Sequence, residues 1–120
     1  MSTARDNPVR DKSFSFALRI VGVYRHLTET RKEFVLSKQL LRSGTSIGAN
    51  IEEAIGGESK ADFIHKMGIS YKEARETHYW LRLLRGSGYL SDLEADPLIQ
   101  DCDELLKLIG SIQKSSKKNS

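Results

Sequence analysis

Apolar side chains recur at helical spacing in four segments of the chain, and each segment predicts one amphipathic helix. The first helix is predicted from about Lys12 to Leu27, after a flexible N-terminus of residues 1–11. The buried face of this helix is predicted to consist of Phe16, Ile20, Val23 and Leu27.

The second predicted helix begins at a capping box and ends at a pair of glycines. Thr30 and Glu33 have the spacing at which a hydroxyl and a carboxylate satisfy the free amides that begin a helix. Gly56 and Gly57 end the helix, because glycine adopts the left-handed C-terminal cap without strain. The predicted buried positions are Leu36, Leu40, Ile47, Ile51 and Ile55.

The third predicted helix has the most regular pattern in the chain. Ser59 and Asp62 provide its capping signal, and it extends to about Arg85, where Gly86 and Gly88 interrupt it. Its core positions follow a heptad spacing of 4-3-4-3-4-3: Phe63, Met67, Ser70, Ala74, Thr77, Leu81 and Leu84.

The fourth predicted helix has Pro97 in its first turn, after an acidic stretch that runs from Ser91 to Asp96. Tyr89 and Leu90 are expected to tuck under the end of the bundle. The buried face is predicted to consist of Leu98, Cys102, Leu105, Ile109 and Ile112. Four helices with short connections predict an all-α, antiparallel up-down four-helix bundle over residues 12–113, followed by a disordered basic tail, residues 114–120.

The net charge of +3 conceals two oppositely charged parts of the chain. Between Arg5 and Arg42, nine Lys or Arg residues face four Asp or Glu residues; between Ser91 and Gly110, one Lys faces six acids. The two parts form complementary helix faces that pair within the bundle or between subunits, or else the basic part attracts nucleic acid. The sequence leaves both interpretations open.

The composition favours a single cytoplasmic domain. Hydrophobic residues make up 38% of the chain, and no apolar run approaches the roughly 20 residues that cross a bilayer. The segment from Met1 to Arg10 lacks the apolar centre of a signal peptide. A single cysteine, Cys102, forms no internal disulfide, which agrees with a reducing compartment. We therefore expect no membrane contact.

The residue types used in catalysis do not recur at catalytic or metal-ligating spacing. A di-iron site in a bundle requires Glu-x-x-His on two helices, and the nearest approach is Asp62-x-x-His65, where Asp62 already has a capping role. Cys102 falls on a core position, which predicts a buried, inert thiol. His26 and His78 are expected at the surface or half-buried. The sequence thus predicts no enzyme activity, metal or cofactor.

The second helix contains a strip of small residues. Gly44 and Gly48 lie in mid-helix, where each weakens a helix by about 1 kcal/mol relative to alanine. Ser43, Ser46 and Ala49 continue the strip. Small residues allow another helix to approach closely, and this partner is either a helix of the same bundle or one from another subunit.

A polar strip runs beside these small residues and next to the core stripe. It consists of Gln39, Arg42, Ser43, Ser46, Asn50 and Glu53. A polar strip in this position indicates hydrogen bonds to a neighbouring helix. We expect a network with Glu73, Arg75 and Glu76 that fixes the register of the second and third helices.

Two further sets of residues suggest partners. Apolar residues outside the main stripes predict a contact surface and a homo-oligomer: Phe34, Val35, Tyr79, Trp80 and Leu83. Basic residues on the second and third helices are the candidates for contact with phosphates: Lys38, Arg42, Lys72, Arg75, Arg82 and Arg85. No base-reading motif accompanies them, so binding to RNA or DNA would depend on charge and shape.

Two long segments carry a family resemblance. The run FVLSKQLLRSGTSIGANIEEAI, residues 34–55, and the run SKADFIHKMGISYKEARETHYWLRLL, residues 59–84, closely resemble the four-helix bundle proteins encoded by intervening sequences in bacterial 23S ribosomal RNA genes. The FALRIV segment of the first helix also fits. This family resembles in turn the accessory variability determinant of diversity-generating retroelements.

The resemblance implies a ring-like homopentamer with a basic surface that binds nucleic acid, in some relatives beside a reverse transcriptase. It implies no catalysis. The family signature on this chain, which we expect to be structural, consists of Gln39, Ser43, Ser46, Asn50, Glu53, Glu73, Glu76 and Trp80. The leading functional hypothesis is a nucleic-acid-binding oligomeric scaffold. The alternative is a protein–protein adaptor that uses the Tyr79/Trp80 surface and the Gly44/Gly48 strip.

Overall fold

The computed structural model describes residues 7–118, and this range contains four α-helices and no β-strand. The helices are α1 (Pro8–Arg25), α2 (Leu36–Ile55), α3 (Lys60–Gly86) and α4 (Asp92–Lys118). One π-helical turn, His26–Thr30, continues α1. The predicted all-α class and the number of helices are confirmed.

Each helix packs against its neighbours in sequence, and α4 also packs against α1 and closes the bundle. Contacts between helices give their directions. On α2 and α3, Arg42 reaches Glu76 whereas Ile47 reaches Ser70, so residue numbers rise on one helix as they fall on the other. The bundle is therefore antiparallel and up-down.

The predicted apolar stripes form the core, with one exception. The fully buried large side chains include Phe16, Ile20, Leu27, Leu40, Ile47, Ile51, Met67, Leu81, Leu84, Leu105 and Ile109. Ile55 was predicted to be buried but is 43% exposed. Ala54 is buried instead, because the inward face of α2 advances by three residues after Ile51 and not by four.

The start of α2 differs from the predicted capping box. The π-helical turn extends through Thr30, and Lys32 adopts a left-handed φ of 57° that redirects the chain. Helix α2 begins only at Leu36, where the buried Glu33 carboxylate accepts the backbone N–H groups of Leu36 (2.9 Å) and Ser37 (2.7 Å), as well as that of Val35. Glu33 alone thus does the capping that was assigned to the pair.

The outer ends of α1 and α4 also differ from the prediction. Helix α1 begins at Pro8, capped by Asn7, and so includes residues 8–11. Helix α4 begins at Asp92 and not near Pro97, because Ser91 and Glu94 form a reciprocal capping box. At the other end, α4 continues to Lys118 through the predicted tail. Residues 1–6 and 119–120 lie outside the described residues.

The connection between α3 and α4 folds under the bundle as predicted. Leu90 is buried and Tyr89 half-buried, while Gly88 takes a left-handed φ of 85° that suits glycine. Arg31 donates hydrogen bonds to the carbonyls of Gly88 and Tyr89 at 3.1 and 2.8 Å. This contact joins the α1–α2 and α3–α4 connections at one end of the bundle.

Replacing Glu33 by glutamine should lower the free energy of unfolding by about 1 kcal/mol, since a charged cap of three amides is lost. Burial raises the pKa of the Glu33 carboxyl, but the backbone N–H groups outweigh burial and hold the pKa below its usual value. The Glu33 cap therefore makes its full contribution to the free energy of unfolding above the unfolded pKa of about 4.3. That contribution is lost as pH falls through the lower, folded pKa.

Urea unfolding at neutral and acidic pH tests this prediction, with Glu29→Gln as a control that removes the same charge from an exposed position. The Glu33→Gln variant should lose less stability on acidification than the parent. Equal acid sensitivity in the two proteins would contradict the capping role.

Replacing Gly44 by alanine should destabilise the protein by about 1–3 kcal/mol, because the new Cβ would lie 2.8 Å from Cγ2 of the buried Ile20. Gly22 offers a matched control: it lies in α1, and a Cβ there meets nothing within 4 Å. Gly22→Ala should instead stabilise the protein by about 0.5–1 kcal/mol through helix propensity. Thermal or urea unfolding of both variants gives the comparison, and two shifts of the same sign would refute it.

Candidate nucleic-acid interface

The six basic residues predicted to contact phosphates fall into three pairs with different surroundings. Arg42 and Arg85 are bound to carboxylates of the bundle. The Arg42 guanidinium lies 3.2 Å from Glu73 and 2.5 Å from Glu76, both on α3. Arg85 lies 2.6 Å from Asp96 on α4. Their charges are therefore balanced locally.

The other four basic residues lack such neutralisation. Lys38 and Lys72 lie on the exposed surfaces of α2 and α3. Arg75 and Arg82 line a groove of about 300 Å³ between α3 and α4, together with His78. Of the six predicted residues, the fold thus brings only Arg75 and Arg82 together in a concave site. His78 was not among the predicted contacts; its spacing of three and four residues from these arginines was the available signal.

The polar strip of α2 contributes to register, although through fewer residues than predicted. Arg42 joins Glu73 and Glu76, and the buried hydroxyls of Ser43 and Thr77 are hydrogen-bonded at 2.9 Å. Glu53 pairs with Lys66 at 2.8 Å. These contacts all link α2 to α3, so the predicted network exists in part.

The expectations for four residues of this network were wrong. Asn50 donates to the carbonyl of Ser46, and Ser46 donates to the carbonyl of Arg42, so both side chains bond within α2. Short polar side chains satisfy nearby backbone acceptors in this way. Arg75 was expected to face α2 but lines the groove toward α4. Gln39 lies exposed on α2.

Glu76 connects the signature residues on α3. Its carboxylate accepts hydrogen bonds from Arg42 and from the indole N–H of Trp80 at 3.1 Å, which hold the Glu76 pKa below its usual value. Trp80 is half-buried and packs against the core. Arg42 and Trp80 are thus already engaged in intramolecular contacts.

The charge asymmetry of the sequence is partly resolved inside the bundle. Three contacts run along the seam between α1 and α4: Lys12 with Glu104 at 2.5 Å, Arg19 with Asp101, and His26 with Glu94 at 3.2 Å. On the other side of α1, Arg10 pairs with Glu52 of α2 at 2.8 Å. The interpretation of complementary helix faces within one bundle is therefore confirmed for α1.

The small-residue strip of α2 is covered by α1. A Cβ at Gly44 would meet Ile20, and one at Gly48 would lie 3.3 Å from the Ser13 hydroxyl. Of the two partners left open by the sequence, a helix of the same bundle is the one observed. Gly44 is buried and consequently not available to the adaptor surface that the alternative hypothesis placed on the strip, whereas Gly48 is half-buried.

Several apolar side chains remain at the surface. Phe34, Val35, Tyr79 and Leu83 are exposed, as their positions outside the main stripes predicted. Phe14 and Leu18 on α1 are also exposed, at 62% and 60%, and were missed although their spacing of four places them on one face. The bundle thus has exposed apolar patches on more than one helix.

A comparison with family models decides the family. The model described as 23S rRNA-intervening sequence protein matches residues 5–111. The chain belongs to this family. The match includes α1, α2, α3, all three connections between helices and most of α4, and it therefore contains the polar strip.

A solved structure agrees with this family assignment. The chain is 53% identical to a protein of unknown function from the S23 ribosomal protein family of Bacteroides thetaiotaomicron VPI-5482, with a TM-score of 0.87. The match covers 88% of this chain and 98% of the other. No match was found among curated proteins. Fold and family are therefore established, whereas the related structure brings no activity with it.

The single thiol of this 23S rRNA-intervening sequence protein lies in the core. Cys102 is fully buried, and its thiol lies 3.2 Å from the Ala74 carbonyl. Burial, with the nearby Asp103 and Asp101 charges, raises the Cys102 pKa to about 12, as expected of an inert thiol.

Within residues 7–118, no group of three or more His, Cys, Asp or Glu residues could hold a metal ion. No helix in that range has both the length and the hydropathy to cross a membrane.

Proposed function

We propose that this protein is a non-catalytic oligomeric scaffold that binds the backbone of RNA or DNA through the basic surface of α3. One observation carries the proposal: Lys72, Arg75 and Arg82 have no carboxylate within ion-pair distance among the described residues. The basic residues of α1 that face neighbouring helices are paired. Helix α3 therefore presents three positive charges that no carboxylate of the described bundle neutralises, and other unpaired basic residues, such as Arg25 and Lys38, lie elsewhere on the surface.

The family description refers to an intervening sequence of 23S rRNA, which names a genetic setting and not a ligand, so the proposed nucleic-acid partner is argued from charge. Binding would proceed by counterion release: each phosphate that a Lys or Arg neutralises displaces cations condensed on the nucleic acid. Exposed Lys38 on α2 would add a further positive charge, whereas Arg42 and Arg85 contribute less because bundle carboxylates balance them. Such contacts select backbone geometry and not base sequence.

Exposed apolar side chains support the oligomeric part of the proposal. Phe14, Leu18, Phe34, Val35 and Leu83 would be buried if copies of the chain associate. The five-membered ring implied by the sequence resemblance would repeat the α3 surface around one axis. A repeated positive surface binds a polyanion more tightly than a single copy, because contacts made by one protomer raise the local concentration for the next.

Replacing Lys72, Arg75 and Arg82 together by glutamine should weaken binding to structured RNA and duplex DNA by about 10- to 100-fold, since three phosphate contacts are lost. The matched control replaces Arg10, Lys12 and Arg19 by glutamine, which removes the same charge from α1. The control should weaken binding less than about threefold, through long-range attraction alone. Fluorescence anisotropy at low and moderate salt measures both affinities.

Equal losses in the two triple variants would show that net charge, and not the α3 surface, drives binding. A parent protein that binds neither nucleic acid at low salt would refute the proposal. The solution mass, measured alongside, should exceed that of one 13.5 kDa chain.

A protein–protein adaptor is the second candidate, and one contact favours it. Tyr79 is 49% exposed and lies edge-to-face on Trp80, with ring centroids 5.1 Å apart. Tyr and Trp are enriched in interface cores. Under this function, Tyr79→Ala should abolish capture of a protein partner in pull-down assays, and added salt should leave that capture unchanged. Tyr24→Ala, a half-buried tyrosine on α1, is the control.

A further inference from the structure

The groove between α3 and α4 has an unusual set of side chains for a packed helix seam. Tyr71, Arg75, His78 and Arg82 line it from α3, and Asp103 and Leu106 line it from α4. The α3 residues recur at spacings of three or four, which places them along one face of the helix. Helix α3 thereby presents two guanidinium groups and an imidazole to one concave surface.

The charges in this groove do not balance. The only carboxylate that lines it, Asp103, lies 2.9 Å from the Nε2 atom of His78. Arg75 and Arg82 have no carboxylate within ion-pair distance among the described residues, although Arg82 lies 6.0 Å from the Tyr79 ring centroid. Two permanent positive charges therefore face one negative charge.

Other arginines at helix seams are paired with acids. Arg10, Arg19, Arg42 and Arg85 each bind a carboxylate on a neighbouring helix. If the groove served only to join α3 to α4, a second acid would be expected on α4 opposite Arg75 and Arg82. Asp103 is the one acid of α4 that lines the groove, and Leu106 provides an apolar wall with the Tyr71 ring.

We propose that the groove is a binding site for a phosphate group. Arg75 and Arg82 would hold the phosphate oxygens with charged hydrogen bonds, and His78 lies between them with its Nε2 atom bound to Asp103. A volume of about 300 Å³ is at the lower end for ligand sites and accommodates a phosphate with an attached sugar, which the Tyr71 and Leu106 wall would contact. The inference rests on the proposed function in assigning this phosphate to an RNA or DNA backbone.

Asp103 has a specific role in this arrangement. Its contact with His78 orients the imidazole, while its negative charge opposes an incoming anion at close range. The site should therefore bind phosphate with moderate affinity, and removal of the Asp103 charge should increase that affinity. If the groove residues only joined the two helices, removal of the Asp103 charge would not increase phosphate affinity.

NMR of the histidine ring protons tests the site at constant pH in a phosphate-free buffer. The probes are inorganic phosphate and a short single-stranded oligonucleotide, and His26 and His65 provide references on other faces. Both probes should shift the His78 signals.

The double variant Arg75→Gln/Arg82→Gln should weaken phosphate binding at least about tenfold, and Asp103→Asn should strengthen it about threefold. Arg10→Gln should leave it within about twofold.

The outcomes separate the site from the proposed function. Nucleic-acid binding in the anisotropy assay with unshifted His78 signals would overturn the site and leave the function standing. A His78 shift with inorganic phosphate, in a protein that binds no nucleic acid, would support the site and refute the function.

Tighter, salt-dependent binding of the oligonucleotide would identify the backbone as the source of the phosphate, whereas equal affinity for both probes would identify a free phosphate. An unchanged affinity in the double variant would overturn the proposal.

Discussion

The close packing of α2 between α1 and α3 is the constraint on which the rest of the structure depends. On one side, the buried Ile20 of α1 packs directly against Gly44 of α2. A Cβ atom at position 44 would lie only 2.8 Å from Ile20 Cγ2. On the other side, the Ser70 hydroxyl donates to the Ile47 carbonyl at 2.9 Å, and Thr77 bonds to Ser43. Because these contacts are short and buried, they fix both the depth and the register of α2, and so the rotation of α3 about its own axis.

The rotation of α3 decides how its charges are distributed. The side toward α2 receives Glu73 and Glu76, which bind Arg42, while the side toward α4 receives Arg75 and Arg82. On α1, by contrast, Arg10, Lys12 and Arg19 meet acids of α2 and α4. A chain with a net charge of only +3 can in this way keep positive charge, which no carboxylate among the described residues neutralises, on the side of α3 toward α4. The functional proposal follows from this uneven pairing and not from the net charge.

The sequence predicted the features that depend on local pattern. The heptad positions of α3 and the stripe of α4 became core, and Ser59 caps α3 as its spacing indicated. The start of α2 could not be predicted, because a π-helical turn and the long reach of Glu33 replaced the expected cap. Ser91 and Glu94 carried a readable capping signal that the presence of Pro97 obscured.

The pairing of individual charges was beyond the sequence for a different reason. Arg75, Arg82 and Arg85 are all arginines of α3, and the sequence does not distinguish between them. Arg85 alone of the three has a carboxylate partner among the described residues, Asp96 of α4. The role of His78 likewise depends on Asp103, which is distant in the chain but 2.9 Å away in space. Which basic residues remain free is thus a property of helix packing, and helical periodicity alone does not contain it.

Arginine-selective chemical modification, followed by mass spectrometry of the protein with and without bound RNA, tests this uneven pairing most directly. The account predicts that Arg75 and Arg82 are modified rapidly in the free protein and become protected when RNA binds. The paired Arg10 and Arg19 should be modified slowly in both samples. Protection of Arg10 and Arg19 by RNA, with Arg75 and Arg82 equally reactive in both samples, would contradict it.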